Sequence, residues 1–273
     1  MSTRLRLATW NVNSIRSRVD RVVEWLDDND VDVLALQETK CRDREFPYDV
    51  FDHAGYEVAH NGFSQWNGVA IASRVGLADV ATSFANEPGF DRHAADALIP
   101  MEVVEARALG ATCGGVRVWS VYVPNGRALD DPHFEYKLAW LQALRVEAAR
   151  WIADDPAARI ALAGDWNIAP TDDDVWSPKF FDGTTHTSPV ERAAFDAILD
   201  AGYTEVTRPF VPHEYTFWDY TKLRFPRNEG VRIDFVLASD ALRADVSGAR
   251  IDRNERDRLG ASDHAPVIVD IDC

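Results

Sequence analysis

Residues 164–170 read Gly-Asp-Trp-Asn-Ile-Ala-Pro, and at this heptad the chain passes from an apolar run into polar residues. The five residues before it, 159–163, are largely apolar, as is typical of a buried strand. The glycine and proline that bracket the polar residues mark the exit into a loop. Asp165 and Asn167 are therefore predicted at a strand end, where ligands bind in α/β proteins. Such residues can also simply cap the next turn.

The composition bounds the class of protein. The chain has 273 residues, of which 46% are hydrophobic and 27% charged, and no repeat, linker or low-complexity tract divides it, which predicts one domain over residues 1–273. No apolar run could span a bilayer and no signal-peptide core follows Met1, so we expect a soluble, cytoplasmic protein without a membrane partner. Cys41, Cys113 and Cys273 match neither a disulfide framework nor a zinc site.

The net charge of −16 argues against a polyanionic partner, because proteins that grip phosphates normally offer Lys and Arg. The weight of that argument depends on where the charges lie. Carboxylates at a metal site, or on a distant face, would make the total negative without occupying the binding surface. Basic residues do concentrate within 16–21, 222–232 and 250–258, although most of them are expected to be solvated surface charges.

Segments with strand and helix patterns alternate along the chain. Strands are predicted at 5–11, 31–36, 68–72, 101–106, 116–122, 159–163, 231–237 and 267–271. Helices are predicted at 19–26, 133–152 and 191–199, and a polar loop at 85–97. Strands outnumber helices and helical segments fall between them, which favours sheets covered by helices.

Polar residues at several predicted strand ends form a candidate site. They are Asn11, Asn13, Glu38, Tyr122, Asn125, Asp165, Asn167, Asp234, Asp263 and His264. Carboxylate and amide oxygens without a Cys/His cluster suit a hard cation, so Mg²⁺ is predicted, with Mn²⁺ as a possible substitute, and zinc is disfavoured. Taken singly, a strand-end histidine such as His264 is more often a structural residue than a catalyst.

Six sequence blocks carry a more specific resemblance. They are residues 9–16, 36–40, 122–127, 164–170, 232–234 and 262–266. In this order they resemble the exonuclease III family of class II abasic-site (AP) endonucleases, within the endonuclease/exonuclease/phosphatase superfamily. The resemblance implies a four-layer α/β sandwich, with two mixed β-sheets packed face to face and flanked by helices, and an active site at one rim.

The same resemblance implies an activity and a substrate. A monomer would hydrolyse the phosphodiester 5′ to abasic sites in double-stranded DNA, and would also act on blocked 3′ ends as a 3′→5′ exonuclease and 3′-phosphodiesterase or phosphatase. It implies a metal held by Glu38 with Asn11 or Asn13 nearby and Asp263 completing the shell. Asp165, Asn167 and His264 are further candidate ligands.

Catalytic roles follow by motif position. Asp165 would orient and deprotonate the attacking water, and Asn167 would hydrogen-bond the nucleophile or the phosphate. His264, paired with Asp234, would stabilise the charge that develops on phosphorus. Tyr122 would donate to the same phosphate. Whether Asp165 or His264 takes the proton stays open.

Contacts to DNA are the least specific part of the prediction. Phe217 or Trp218 would wall a pocket for a flipped baseless sugar, with Val231 and Ile233, although aromatic clusters are usually core. Contacts to the strand are expected from Asn13, Arg16, Asn125, Arg127 and Arg232. The family has basic residues before the strand that leads to Tyr122, where this chain has acidic and small residues at 91–98. Arg107, with Arg92 behind it, is the nearest candidate substitute.

Two other interpretations remain open. The first is another enzyme of the superfamily, such as a deoxyribonuclease I-like nuclease, an inositol-phosphate phosphatase or a sphingomyelinase. The lack of a secretory segment and of a cysteine framework disfavours its secreted members. The second is a non-catalytic nucleic-acid-binding regulator built on the same fold. That interpretation expects eroded ligands, whereas the carboxylates, the histidine and the tyrosine are all present.

Overall fold

Two six-stranded sheets form the centre of the computed structural model, which describes residues 4–90 and 103–272. The strands of the first sheet are β1 (Arg4–Asn11), β2 (Val33–Gln37), β3 (Glu57–Asn61), β4 (Val69–Ser73), β11 (Val246–Ile251) and β12 (Val267–Asp272). Their order is β11-β12-β1-β2-β4-β3. The strands of the second sheet are β5 (Ala78–Ala81), β6 (Ala108–Cys113), β7 (Val116–Tyr122), β8 (Ile160–Asp165), β9 (Tyr203–Glu205) and β10 (Asp234–Ser239). Their order is β5-β6-β7-β8-β10-β9.

The helices, in chain order, are α1 (Val19–Asp28), α2 (Tyr48–His53), α3 (Pro132–Asp154), α4 (Pro178–Phe181), α5 (Pro189–Leu199), α6 (Asp240–Arg243) and α7 (Arg253–Arg256). Those that cover the outer faces of the sheets are α1, α2, α3 and α5. The first sheet packs against α1 and α2, and the second against α3 and α5. A third apolar cluster fills the space between the sheets. The predicted four-layer sandwich of two mixed sheets is therefore confirmed.

The central strands are continuous apolar runs because both faces of each sheet are covered. In β1, Leu5 and Leu7 face the second sheet, whereas Ala8 and Trp10 face the helices. Successive side chains of a strand point to opposite faces, and both faces are covered here. All five residues of β2 are buried for the same reason.

Local signals set the bounds of the two long helices on the second sheet. The Asp131 carboxylate accepts the backbone N–H of His133 at 2.8 Å, and Pro132 occupies the first turn of α3. Ser188 and Glu191 form a capping box at the start of α5. Both helices were predicted within a few residues of these bounds. No helix in the described ranges is long and apolar enough to cross a membrane.

Two predicted strands were misplaced. Within 101–106, only residues from Val103 onward are described, and Val103 forms an isolated bridge with Phe90 before β6 begins at Ala108. The small residues of β6 have weak strand propensity, so their pairing with β7 decides their structure. The strand predicted at 231–237 begins only at Asp234, because Val231 pairs in an isolated bridge with Phe217. Strands β3, β5, β9 and β11 were not predicted.

Strand direction brings the polar ends together. β1 and β2 run parallel, with Asn11 opposite Gln37, the last residue before Glu38. In the second sheet Asp165 is opposite both Tyr122, on parallel β7, and Asp234, at the start of antiparallel β10. Because the sheets pack face to face, these ends meet at one rim.

Candidate active site

Asp165 lies at the centre of the rim, as the last residue of β8. Its Oδ1 accepts the backbone N–H of Asn167 at 2.9 Å, and its Oδ2 accepts the side-chain amide of Asn11 at 2.9 Å. Gly164 permits this position, since a Cβ there would lie 1.9 Å from the carbonyl oxygen of Val121. The strand therefore presents Asp165 to the rim at a place where only glycine can precede it.

Burial raises the pKa of Asp165 to about 7, and the nearby Asp234 carboxylate adds to the rise. Both effects disfavour the charged form of the acid. A carboxyl group that titrates near neutrality is suited to accept a proton and release it again.

His264 and Asp234 form a buried pair beside it. The Nδ1 atom of His264 lies 2.8 Å from Oδ2 of Asp234, and its Nε2 lies 3.8 Å from Oδ2 of Asp165. Burial alone would lower the pKa of His264, but Asp234 outweighs it, and the pKa rises to about 10. His264 is therefore an imidazolium at neutral pH, with a proton on each ring nitrogen.

Glu38 supplies the second acidic group of the rim, directly after β2. The Asn11 amide donates to its Oε1 at 2.9 Å, and the Lys40 ammonium lies 2.6 Å from its Oε2. Burial would raise the pKa of Glu38, but Lys40 and Asn11 outweigh burial and lower it. Burial raises the pKa of Tyr122 well above its usual value, and the charge of Glu38 adds to that rise. Glu38 is thus ionised and Tyr122 is a neutral donor.

The carboxylates of the rim could hold a metal ion. Ligand atoms of Glu38, Asp165 and His264 all lie within 4.8 Å of one another. As an imidazolium, His264 has no free lone pair, so the oxygens of Glu38 and Asp165 are the available donors. Asp263, whose Oδ1 accepts the Asn13 amide at 3.1 Å, lines the same cavity. This oxygen-rich set fits a hard cation.

The two amides predicted as ligands have other partners. Oδ1 of Asn11 accepts the backbone N–H of Asn13 at 3.0 Å, so the amide nitrogen faces the carboxylates, and an amide nitrogen does not bind a cation. The side chain of Asn167 donates to the Val123 carbonyl at 3.0 Å and accepts from Asn125 at 3.0 Å. The structure thus favours roles for Asn11 and Asn167 in orienting their neighbours.

A cavity of about 580 Å³ opens over the rim. One side carries the polar groups above, together with Asn13 and Asn125. The other side is aromatic and apolar, and its residues are Trp176, Phe180, Phe181, Phe217, Val231 and Ile233. The lysine and arginine side chains at the cavity are Lys40, Lys222 and Arg224. The cavity combines a reacting edge with an apolar wall.

Of the two aromatics considered for the pocket wall, Phe217 lines the cavity. Its ring centroid is 4.8 Å from that of His264. Trp218 is 1% exposed and packs in a separate cluster, with its indole N–H directed at the side chain of Asn228 at 3.3 Å. Trp218 therefore supports the loop rather than lining the pocket.

The predictions for two arginines need correction, and the prediction for a third is not tested. Arg232 is 1% exposed, and its guanidinium donates to the Val211 carbonyl and to the Thr207 hydroxyl. It therefore cannot contact DNA. Arg107 is 4% exposed and lies over the Tyr122 ring, so it does not replace the missing basic residues. Arg92 lies outside the described residues.

The other predicted contacts lie at different places. Asn13 and Asn125 line the cavity. Arg16 is exposed outside it, and Arg127, also exposed, lies 3.7 Å from Asp131.

Sequence reasoning missed a buried network behind Asn167. The Lys137 ammonium is fully buried, donates to the carbonyl of Asn167 at 2.7 Å and pairs with Glu191. Nδ1 of His186 lies 2.6 Å from the same carbonyl, and His186 lines the cavity. The sequence did indicate that Lys137 is unusual. Trp140 and Leu141 follow it by three and four residues, which places Lys137 on the apolar face of α3. Nothing in the sequence distinguishes His186.

Comparison with known proteins gives three close likenesses and a family match. Residues 8–264 match the Endonuclease/Exonuclease/phosphatase family. A Bacillus subtilis exodeoxyribonuclease is 29% identical over 276 residues, which cover 96% of this chain and 98% of the relative. A Neisseria 3′ phosphatase solved with a product DNA hairpin has a TM-score of 0.88 and 36% identity, over 98% of this chain and 100% of that chain. An AP endonuclease from Archaeoglobus fulgidus has a TM-score of 0.87 and 35% identity, over 97% and 98%.

Proposed function

Because the chain belongs to the endonuclease/exonuclease/phosphatase family, we propose that it is a DNA-repair nuclease of the exonuclease III type. It hydrolyses the phosphodiester 5′ to an abasic site in duplex DNA and removes blocking groups from 3′ ends. The observation that carries the proposal is the convergence of Glu38, Asp165 and His264 within 4.8 Å at the mouth of a cavity. Its similarity to an exodeoxyribonuclease and an AP endonuclease supports the choice of substrate.

The proposed cofactor is Mg²⁺, with Mn²⁺ as a substitute. Glu38 would hold it together with Asp165, because ligand oxygens of these two residues lie within 4.8 Å of each other, and Asp263 lines the same cavity. When bound, such an ion polarises a phosphate oxygen and offsets negative charge on the leaving oxygen.

Asp165 is the proposed general base. Water attacks phosphorus as its proton passes to Asp165, and the bond between phosphorus and the 3′-oxygen breaks. His264 carries a proton on Nε2 already, because its pKa lies near 10, whereas the pKa of Asp165 lies near 7. The imidazolium and the Tyr122 hydroxyl instead stabilise negative charge on the phosphate.

Phosphomonoester hydrolysis at a 3′ end is a second activity of the same site. The likeness to a Neisseria 3′ phosphatase favours it. A terminal phosphate would present the same phosphorus and oxygens to Asp165 and His264, with water again as the nucleophile. A monomer is proposed as well, because one chain supplies every group named here.

The experiment is an incision assay on three duplexes: one with a tetrahydrofuran abasic analogue, one with a recessed 3′-phosphate and one with an intact recessed 3′ end. Each is incubated with the purified chain and Mg²⁺, and with an Asp165→Asn/His264→Asn double variant that reports contaminating nucleases. Metal-dependent nicking of the first or dephosphorylation of the second supports the proposal. A folded protein that binds DNA but cleaves none of the three would instead be a regulator.

A salt series on the same assay tests the polyanionic substrate. At subsaturating DNA the incision rate should fall steeply as salt rises, despite the net charge of −16, because phosphate contacts release counterions. A flat response would contradict a cationic DNA-binding surface.

A further inference from the structure

Glu38 lies in a turn with an unusual backbone. Its φ is 51° and that of Lys40 is 52°, and neither residue is glycine. Residues other than glycine keep this left-handed backbone conformation only where the surrounding structure fixes it. The residue between them, Thr39, is fully buried. What fixes Thr39 therefore fixes the direction of the Glu38 carboxylate.

Backbone contacts hold Thr39 from two sides. Its N–H donates to the Gly68 carbonyl at 3.1 Å, and its own carbonyl accepts the N–H of Ile15 at 3.1 Å. A Cβ at Gly68 would lie 2.1 Å from the Thr39 hydroxyl oxygen. The space around this hydroxyl therefore exists only because position 68 is a glycine.

The hydroxyl of Thr39 contacts the buried imidazole of His60. Its oxygen lies 2.8 Å from Nε2 of His60, at the far end of strand β3. Nδ1 of His60 lies 2.8 Å from Oδ1 of Asp43, off the line of a hydrogen bond, and that oxygen also accepts the Gly62 N–H at 2.8 Å. The ring packs against Phe46 at 4.6 Å between centroids.

The charge state of His60 follows from this setting. Burial lowers the pKa of His60 to about 4, against the opposing pull of Asp43, so the imidazole is neutral. Its proton belongs on Nδ1, facing the carboxylate, because a lone pair there would face negative charge. Nε2 then accepts the Thr39 O–H.

We propose that His60 is a positioning residue for Glu38: through Thr39 it holds the turn that aims the Glu38 carboxylate at a divalent cation. This inference rests on the proposed function in one respect, namely that Glu38 holds the ion. His60 itself does not line the cavity, and its ring contacts Asp43 and Phe46. Partners that orient a metal-binding group typically change metal affinity by about 10–100-fold when they are removed.

The test measures Mn²⁺ affinity of the full chain by electron paramagnetic resonance, without DNA. His60→Gln and Thr39→Val should each raise the Mn²⁺ dissociation constant about tenfold. Thr39→Ser keeps the hydroxyl and should stay within about twofold of the parent. In the incision assay, kcat of the two weakened variants should recover at saturating Mn²⁺.

Two controls separate positioning from general destabilisation. Val22→Ala, in the buried face of α1, should lower the melting temperature without moving the dissociation constant. Glu38→Gln establishes that the measured ion binds at Glu38. If His60→Gln and Thr39→Val melt lower but bind Mn²⁺ like the parent, the inference is overturned and the proposed function stands. If Glu38→Gln also binds like the parent, the proposed metal site fails and the inference fails with it.

Discussion

Glu38 and Asp165 occupy matching places in the two sheets, yet their environments differ. Each stands at the end of a central, fully buried strand, β2 or β8, and the amide of Asn11 donates to both at 2.9 Å. Lys40 outweighs burial at Glu38 and lowers its pKa. Burial and the Asp234 carboxylate raise the pKa of Asp165 to about 7. Strand position alone therefore does not decide the chemistry of a carboxylate.

The difference in pKa suggests different roles for Glu38 and Asp165. A carboxylate that stays charged is suited to hold a cation, and one that titrates near neutrality is suited to exchange protons. Fixed neighbours produce the contrast, since the cation of Lys40 lies beside one group and the anion of Asp234 beside the other. Replacing either acid, or either neighbour, should therefore produce distinct defects.

The largest effect is expected at Asp165. Asp165→Asn should reduce single-turnover incision by about a hundred- to ten-thousand-fold, because an amide cannot take the proton of water. The DNA dissociation constant, measured by fluorescence anisotropy, should stay nearly unchanged. A variant that cleaves at close to the parental rate would remove Asp165 from the role of base.

Glu38→Gln should produce a different defect. The midpoint of the Mg²⁺ titration should rise at least about tenfold, since even outer partners of metal ligands have effects of that size. Part of the rate should return at high Mg²⁺, which is not expected for Asp165→Asn. An unchanged titration curve would mean that Glu38 does not hold the ion.

The pH profile sharpens the contrast. Since Asp165 must be ionised to act as a base, kcat/KM should fall about tenfold per pH unit below its pKa of about 7. Asp234→Asn removes the charge that raises the pKa of His264 to about 10. The imidazolium should then be lost at lower pH, so the alkaline limb of the profile should move to lower pH, along with a lower maximal rate. Asp270→Asn, whose carboxylate pairs with Arg4 and Arg6 away from the cavity, is the control that should leave the alkaline limb in place. An alkaline limb unmoved by Asp234→Asn would show that another group titrates there.

The smallest effect is expected at Lys40. Its ammonium lies 2.6 Å from Glu38, where it would compete with a divalent ion for the same oxygen. Lys40→Gln should therefore bind Mn²⁺ a few-fold more tightly in the absence of DNA, the opposite sign to Glu38→Gln. The pair is partly exposed, which keeps the expected change modest. Weaker binding would mean that Lys40 assists the ion instead of competing with it.

The fold was predictable where an apolar run of strand length ends directly in a polar residue. The runs before Glu38 and Asp165 mark central strands, and six ordered blocks identify the sandwich. Edge strands such as β5 and β11 carry no comparable apolar run, because solvent covers part of them.

The site was predictable at strand ends and unpredictable in loops. Arg232 is buried and donates its hydrogen bonds inside the protein, whereas Lys40, Lys222 and Arg224 line the cavity. The sequence does not show whether a single arginine is buried or exposed. Asn11 was identified by position, but only the hydrogen bond from the Asn13 N–H shows which end of its amide faces the carboxylates. His186 reaches the cavity from a loop without any periodic pattern.

The left-handed backbone of the rim has a consequence for the durability of the enzyme. Besides Glu38 and Lys40, Asn13, Asn167 and His186 have φ between 45° and 76°. These conformations last only while the packing around them persists, so gentle warming should relax them before the sheets separate. Catalytic activity should then disappear several degrees below the calorimetric transition and return on cooling, with the bulk of the sandwich serving as the template on which the rim reforms.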